Sequence, residues 1–268
     1  MKPPGLRIYF LLSAFIGAIL LGGCQPQNVS ETKSAAAPDH SILRVGITAN
    51  APPFVFKQGG TVTGLEPALA SLLGTYLDKK IEFVEVPWEK QLEYLNGGKT
   101  DIVMSGMSIT KPRSYIVNFT KPYLRSGQIM LVRLEDQQRF ATGIDTLFNT
   151  NFPIGTVGDT VSDFFVSATI NGANEVVFKH PQDAVDALIK KEIDVFIYDA
   201  PIVCYFAARH QQDMLVPILS MATEEYIGWA IRKNDTALLS RINEFIDTIN
   251  SQGDLKREID YWIPYLNR

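Results

Sequence analysis

The sequence predicts an α/β fold, and three stretches carry that expectation. Residues 42–47 and 81–86 alternate apolar and polar side chains in the manner of strands. Between them Leu65, Ala68, Leu69, Leu72, Leu73, Tyr76 and Leu77 recur at helical spacing, so one stripe of a helix faces a sheet. Strand, helix, strand is a βαβ unit, and a second strand set begins at Phe152.

At 268 residues, 46% apolar and 20% charged, the chain has the length for one or two domains with substantial cores. Lys2 and Arg7 precede an apolar run over residues 8–21, short of the ~20 residues a spanning helix needs but suited to a secretory signal. Residues 1–23 are therefore expected to be a lipoprotein signal peptide, because Leu21, Gly22, Gly23 and Cys24 look like a bacterial lipobox with Cys24 as the lipidated residue. Residues 24–40, rich in Ser, Ala, Pro and Gln, read as a flexible tether. Lys2 and Arg7 are the only charges among residues 1–23, so the rest of the chain carries −6 against −4 for the whole. An acidic chain without a basic cluster is a poor nucleic-acid partner. Cys204 has no second cysteine beyond Cys24 and reads as a small buried hydrophobe.

Pro52 and Pro53 stop the first strand, Gly59 and Gly60 mark a hairpin tip, and Pro67 fits the first turn of the helix that follows. Pro87 and Trp88 end the second strand. A short helix then closes at Asn96, Gly97 and Gly98, and residues 101–104 form a third strand. Its end is broken by Ser105, Gly106, Met107 and Ser108, small enough to let a ligand approach the backbone, and ligands gather at the carboxyl ends of such strands. Thr110 caps a short helix with Pro112 in its first turn, which holds Arg113 on a rigid corner. A guanidinium there grips a carboxylate in bidentate fashion, or pairs with a surface acid. A Trp at a strand end, as Trp88 is, is often a core or rim residue.

Residues 128–132 read as a connecting ribbon ahead of a charged run at a lobe boundary. Strands are expected at 152–157, 175–178 and 193–199, and a helix at 181–191. Thr160 is placed as an N-cap, with Asp163 completing a capping box, and a helix start of this kind also receives anions. Asp199 ends its strand at a helix start, where a carboxylate is often a helix cap. Strands at 215–219 and 226–231 and helices at 238–252 and 255–262 complete the chain.

Gly106, Met107, Ser108, Ile109, Thr110 and Arg113 resemble the G-[MI]-[ST]-I-T-x-x-R signature of bacterial extracytoplasmic solute-binding proteins of family 3. Asn118, Phe119, Thr120, Pro122 and Tyr123 are similar to that family's D-F-S-x-P-Y segment, and Asp194, Val195, Asp199 and Pro201 to its D-[AV]-x-x-x-D-x-P run. The resemblance covers residues 42–263. It implies a two-lobed, periplasmic-binding-protein-like (type II) α/β fold, each lobe a mostly parallel sheet flanked by helices. Residues 41–131 and 222–268 would form the first lobe and residues 132–221 the second, joined by two hinge strands. It further implies capture of an amino acid or similar zwitterion: Arg113 and the Ser108 N–H on the carboxylate with help from Thr160, Asp199 and the Gly106 carbonyl on the ammonium, and Trp88 over the side chain. The expected partners are an ABC permease and, through the lipid anchor, a membrane, with the protein a monomer outside the cytoplasm. Ala51 and Asp159 depart from the family's usual aromatic and glycine.

No H-E-x-x-H, G-x-S-x-G or C-x-x-C occurs, and His40, His180 and His210 are scattered, so neither catalysis nor a metal or cofactor is expected. Cyclohexadienyl dehydratases offer the alternative. Residues 104–109 and 122–125 are similar to their M-S-G-I-S-I and P-Y-L-R runs, with Glu224 or Glu225 near the place of their general acid. A ligand sensor with a membrane signalling partner would use the same site.

Overall fold

The computed structural model describes residues 41–264, so the expected signal peptide, Cys24 and tether lie outside the described residues. The first sheet begins with β1 (Ile42–Ile47), followed by a three-stranded sheet of β2 (Asn50–Ala51), β3 (Val55–Gln58) and β4 (Thr61–Thr63). Then come α1 (Leu65–Leu77) and β5 (Lys80–Glu85), which pairs with β1 in parallel from Ile42↔Lys80 to Ile47↔Glu85. The βαβ unit is thus present as the periodicity predicts. Leu65, Leu69, Leu73 and Leu77 bury the inward stripe of α1, whereas Tyr76 turns outward and rests its ring on Phe245, 5.4 Å between centroids.

After α2 (Gln91–Asn96), β6 (Ile102–Val103) joins β1 in parallel. Next are α3 (Lys111–Ile116), β7 (Asn118–Phe119) and β8 (Leu124–Ser126), with which the chain leaves the first sheet. β9 (Gln128–Arg133) was expected as a connecting ribbon and is instead an inner strand of the second sheet. Its six residues are all buried, Ile129 and Leu131 facing one core and Met130 and Val132 the other. A strand apolar on both faces needs neighbours on both edges as well.

Those neighbours arrive later in the chain. β10 (Pro153–Val157), α4 (Val161–Thr169), β11 (Asn174–Phe178), α5 (Pro181–Ile189), β12 (Val195–Asp199), α6 (Ala200–Arg209) and β13 (Leu215–Ile218) build a sheet of order β11-β10-β12-β9-β13. β12 and β13 flank β9 and run antiparallel to it. Cys204 on α6 is half-buried against the core.

β14 (Glu225–Ile227) then pairs antiparallel with β8, so both crossings between sheets lie side by side as one ribbon. β15 (Ala230–Ile231) closes the first sheet between β6 and β7, giving β5-β1-β6-β15-β7. The single strand expected over 226–231 is interrupted at Gly228, where a Cβ would stand 2.8 Å from the Ile109 side chain, and at the fully buried Trp229. α7 (Thr236–Ser251), capped by Asp235, and α8 (Asp254–Trp262) pack against α1 and each other. No helix among the described residues is long and apolar enough to cross a membrane.

Candidate ligand-binding site

The carboxyl ends of β1 and β6 in the first lobe and of β10 and β12 in the second meet across one cavity, the place where open α/β sheets receive ligands. The structure brings all six sequence candidates to its wall: Trp88, Gly106, Ser108 and Arg113 from one side, Thr160 and Asp199 from the other. Its volume is ≈ 30 Å³. A single water needs roughly 10–15 Å³ by the same measure, so the cavity as it stands has room for about two waters. Ala51 lines the cavity as well, and the aromatic side chains on its wall are Trp88 and Tyr198.

Arg113 is placed by its helix start. The Thr110 hydroxyl accepts the Arg113 backbone N–H at 3.4 Å, and Pro112 lies in the first turn. The guanidinium donates to the Ser108 carbonyl at 3.1 Å and, across the cleft, to the Asp159 carbonyl at 3.2 Å. It also lies 5.2 Å from the Trp88 ring centroid, and the Trp88 indole N–H donates to the same Asp159 carbonyl at 2.9 Å. Burial pulls the Arg113 pKa below its ordinary value, and the carboxylates of Asp199 and Glu225 oppose that pull. Asp159 occupies the left-handed region at φ 59°, which Asp tolerates better than most residues, so its carbonyl is what faces Arg113.

Ser108 forms a bridge with Ile227 in which Ile109 N–H donates to the Tyr226 carbonyl and Gly228 N–H to the Met107 carbonyl. In that antiparallel arrangement the N–H and C=O of Ser108 itself turn away from Ile227, toward Arg113. Gly106 has φ +65°, a conformation favouring glycine, and a Cβ there would approach the Phe54 ring to 2.9 Å.

Two capping expectations are corrected. The Thr160 hydroxyl makes no cap bond. Thr160 holds the N-cap position, but its hydroxyl donates to the Val157 carbonyl at 2.6 Å and lies 2.8 Å from Ser162 Oγ, which turns its oxygen toward the preceding strand end. Asp163 accepts from the Asp159 N–H at 2.9 Å, one residue earlier than a capping box on Thr160 requires. Asp199 holds the N-cap position of α6 and makes no side-chain cap bond either.

The Asp199 carboxylate instead accepts from Gln128 Nε2 at 2.7 Å, and the same amide nitrogen donates to Glu225 at 2.8 Å. Glu225 also receives Thr223 Oγ–H at 2.7 Å and Ser108 Oγ–H at 2.6 Å. Burial, and then the nearness of Glu225, raises the Asp199 pKa, while Gln128 and Arg113 hold it down. Glu225 is buried, whereas Glu224 pairs with Arg125 at the surface. Gln128 and Glu225 join the candidate residues, and among the described residues Gln128 Oε1 is one of the buried polar atoms without a partner.

Two α/β lobes around a cleft that holds a guanidinium and a carboxyl pole, joined by a paired ribbon, define a solute-binding protein of the hinged type. The chain belongs to the bacterial extracellular solute-binding proteins, family 3, matching the family's sequence model over residues 43–265. It is 27% identical to a probable histidine-binding protein of Neisseria gonorrhoeae over 241 residues, 88% of either chain. Among solved structures it is similar to an ancestral amino acid-binding protein, AncCDT-1, described as a precursor of cyclohexadienyl dehydratase. That match has 30% identity, 83% of this chain, 95% of the other and a TM-score of 0.77. It is also similar to a binding component of an ABC transporter from Wolinella succinogenes complexed with lysine, with 26% identity, 85% of this chain, 100% of the other and a TM-score of 0.78.

Proposed function

We propose that the protein captures an α-amino acid outside the cytoplasm and delivers it to an ABC-type permease. The carrying observation is that Arg113 and Asp199 stand on opposite sides of one cavity, each disfavoured in its charged form by burial. A zwitterion answers both at once. Its carboxylate would meet Arg113, the Ser108 N–H and the backbone N–H of Thr160, whose hydroxyl hydrogen is committed to Val157. Its ammonium would meet Asp199 and the Gly106 carbonyl, and Trp88 would cover its side chain. The relatives named for histidine and lysine support an amino-acid ligand. Closure follows from a ligand that touches both lobes and so favours the closed state. Calorimetry against the common amino acids tests this. At least one is expected to bind and to lose binding in Arg113→Ala, and a protein that binds none overturns the reading.

Anchoring through Cys24 belongs to the same proposal and rests on the sequence before it. Incorporation of labelled palmitate by the wild type and not by Cys24→Ser checks it. A monomer suffices, because one chain supplies both poles.

One observation favours a second reading, a dehydratase. Glu225 is a buried acid in hydrogen-bond contact with the cavity residue Ser108, and AncCDT-1 is named as a dehydratase precursor. Glu225 rather than Glu224 would be its general acid. Phenylpyruvate released from prephenate by the wild type and not by Glu225→Gln would establish it.

A further inference from the structure

The first turn of α1 carries an acid that never reaches water. Glu66 is 0% exposed, and three donors from three separate segments converge on its carboxylate. Gly106 N–H donates to Oε1 at 2.8 Å, the Tyr123 hydroxyl to Oε1 at 2.6 Å, and the Trp229 indole N–H to Oε2 at 2.7 Å. Gly106 belongs to the turn that lines the cavity. Tyr123 is the residue before β8, and Trp229 lies between β14 and β15. Tyr123 N–H also donates to the Ile227 carbonyl at 3.0 Å, and the Tyr123 and Trp229 rings lie 5.5 Å apart. One carboxylate therefore holds the site turn and the roots of both strands of the ribbon.

A helix start that needed only to fill the core would carry an apolar side chain there, since burying a carboxylate is costly unless hydrogen bonds compensate. We propose that Glu66 is a positioning residue for the binding site, fixing the Ser105 to Ser108 turn against both strands that join the lobes. The inference rests on reading the cavity as an amino-acid site. Without Glu66 the Gly106 peptide loses its anchor, and the backbone groups of Gly106 and Ser108 no longer stand ready for a ligand.

The protonation state of Glu66 decides how firmly the clamp is made. An ionised carboxylate accepts all three donors, whereas a protonated one brings a hydrogen that the Tyr123 oxygen alone can accept and leaves the Gly106 and Trp229 N–H groups a weaker, neutral acceptor. Burial pushes the carboxyl up to about 7 against the pull of its three hydrogen bonds. Tyr123 is the titratable side chain in contact with it. Its hydroxyl is raised well above its ordinary range by burial and by Glu66, so it stays a donor, and Asp199 is the further acid it senses. The turn is accordingly held more firmly above about pH 7 than below it.

The test uses the full chain, proton–nitrogen NMR and calorimetry. In the ligand-free wild type the Gly106 amide and the Trp229 indole N–H are expected to titrate together with one midpoint near pH 7. The Ser108 amide should follow them, and all three responses should vanish in Glu66→Gln. Separate midpoints, or no response at Ser108, would overturn the positioning role. Calorimetry with L-arginine, L-histidine, L-lysine and L-glutamine should show binding weakened about tenfold in Glu66→Gln and weakened in the wild type between about pH 8 and about pH 6. Wild-type binding that Glu66→Gln retains unchanged sinks the inference and leaves the amino-acid reading standing. A wild type that binds none of the four while Gly106 still titrates removes the ligand reading, and with it any role for Glu66 beyond the fold. If Glu66→Gln does not fold, the wild-type titrations decide alone.

Discussion

Ser108 and Glu225, 117 residues apart in sequence, share a hydrogen bond of 2.6 Å. It ties the cavity turn of the first lobe to β14, and through Gln128 to Asp199 in the second. Ser108→Ala leaves a buried carboxylate oxygen without its donor. A loss of about 1–3 kcal/mol in unfolding free energy is expected, measured by urea denaturation.

Asp101 is the corresponding tie under the first sheet. It accepts the Arg44 backbone N–H at 3.0 Å and the Arg44 guanidinium at 2.7 and 3.0 Å, and Arg232 reaches it at 3.2 Å. Burial alone would raise its pKa, but the hydrogen bonds from Arg44 more than reverse that, and the net shift is downward. A depressed carboxylate gives stability that is present above its unfolded value of ~3.9 and lost as pH falls through the folded one. Asp101→Ala should cost about 2–3 kcal/mol at neutral pH, discounted for partial exposure, and should remove part of the acid lability seen below about pH 4 in thermal scans.

Glu66 acts on stability in the opposite sense. Its folded pKa is raised from 4.5 to about 7, so the folded state binds the proton more tightly than the unfolded one. That contribution is absent above about pH 7, grows as pH falls, and is complete below about pH 4.5, with a size on the order of 3 kcal/mol. Wild-type stability is expected to rise over this interval while ligand affinity falls. In Glu66→Gln this part of the stability change should disappear.

Gly106→Ala tests the turn by sterics. A side chain at φ +65° is strained, and its Cβ meets the Phe54 ring at 2.9 Å. A loss of about 1–3 kcal/mol is expected in the thermal midpoint analysis, with weaker ligand binding alongside.

What could be read from the sequence was local. The βαβ unit was visible because Leu65, Leu69 and Leu73 declare a helix within a single window, and the alternating flanks declare strands. Arg113 and Asp199 were visible because each follows a short motif. The placement of β9 was not, because its partners β12 and β13 come more than sixty residues later and no local pattern announces them. Glu224 and Glu225 are adjacent acids, and only the pairing of Glu225 with Ser126 and of Tyr226 with Arg125 decides which is buried. In the sequence Gln128 reads only as part of a connecting ribbon. Glu66 carries no local signal, since its donors, Gly106, Tyr123 and Trp229, are scattered over the chain.

The pairing of β8 with β14 has a consequence for how the chain is partitioned. Ser126 and Glu225 are register partners, so everything between them enters and leaves the molecule through one doorway. The second sheet, one face of which packs a core of its own around Met130, Ile154 and Ile197, is in that sense a cassette spliced into the first. A short turn joining the two rims would leave the order β5-β1-β6-β15-β7 uninterrupted, and a foreign module whose termini lie equally close together could be seated in the same opening.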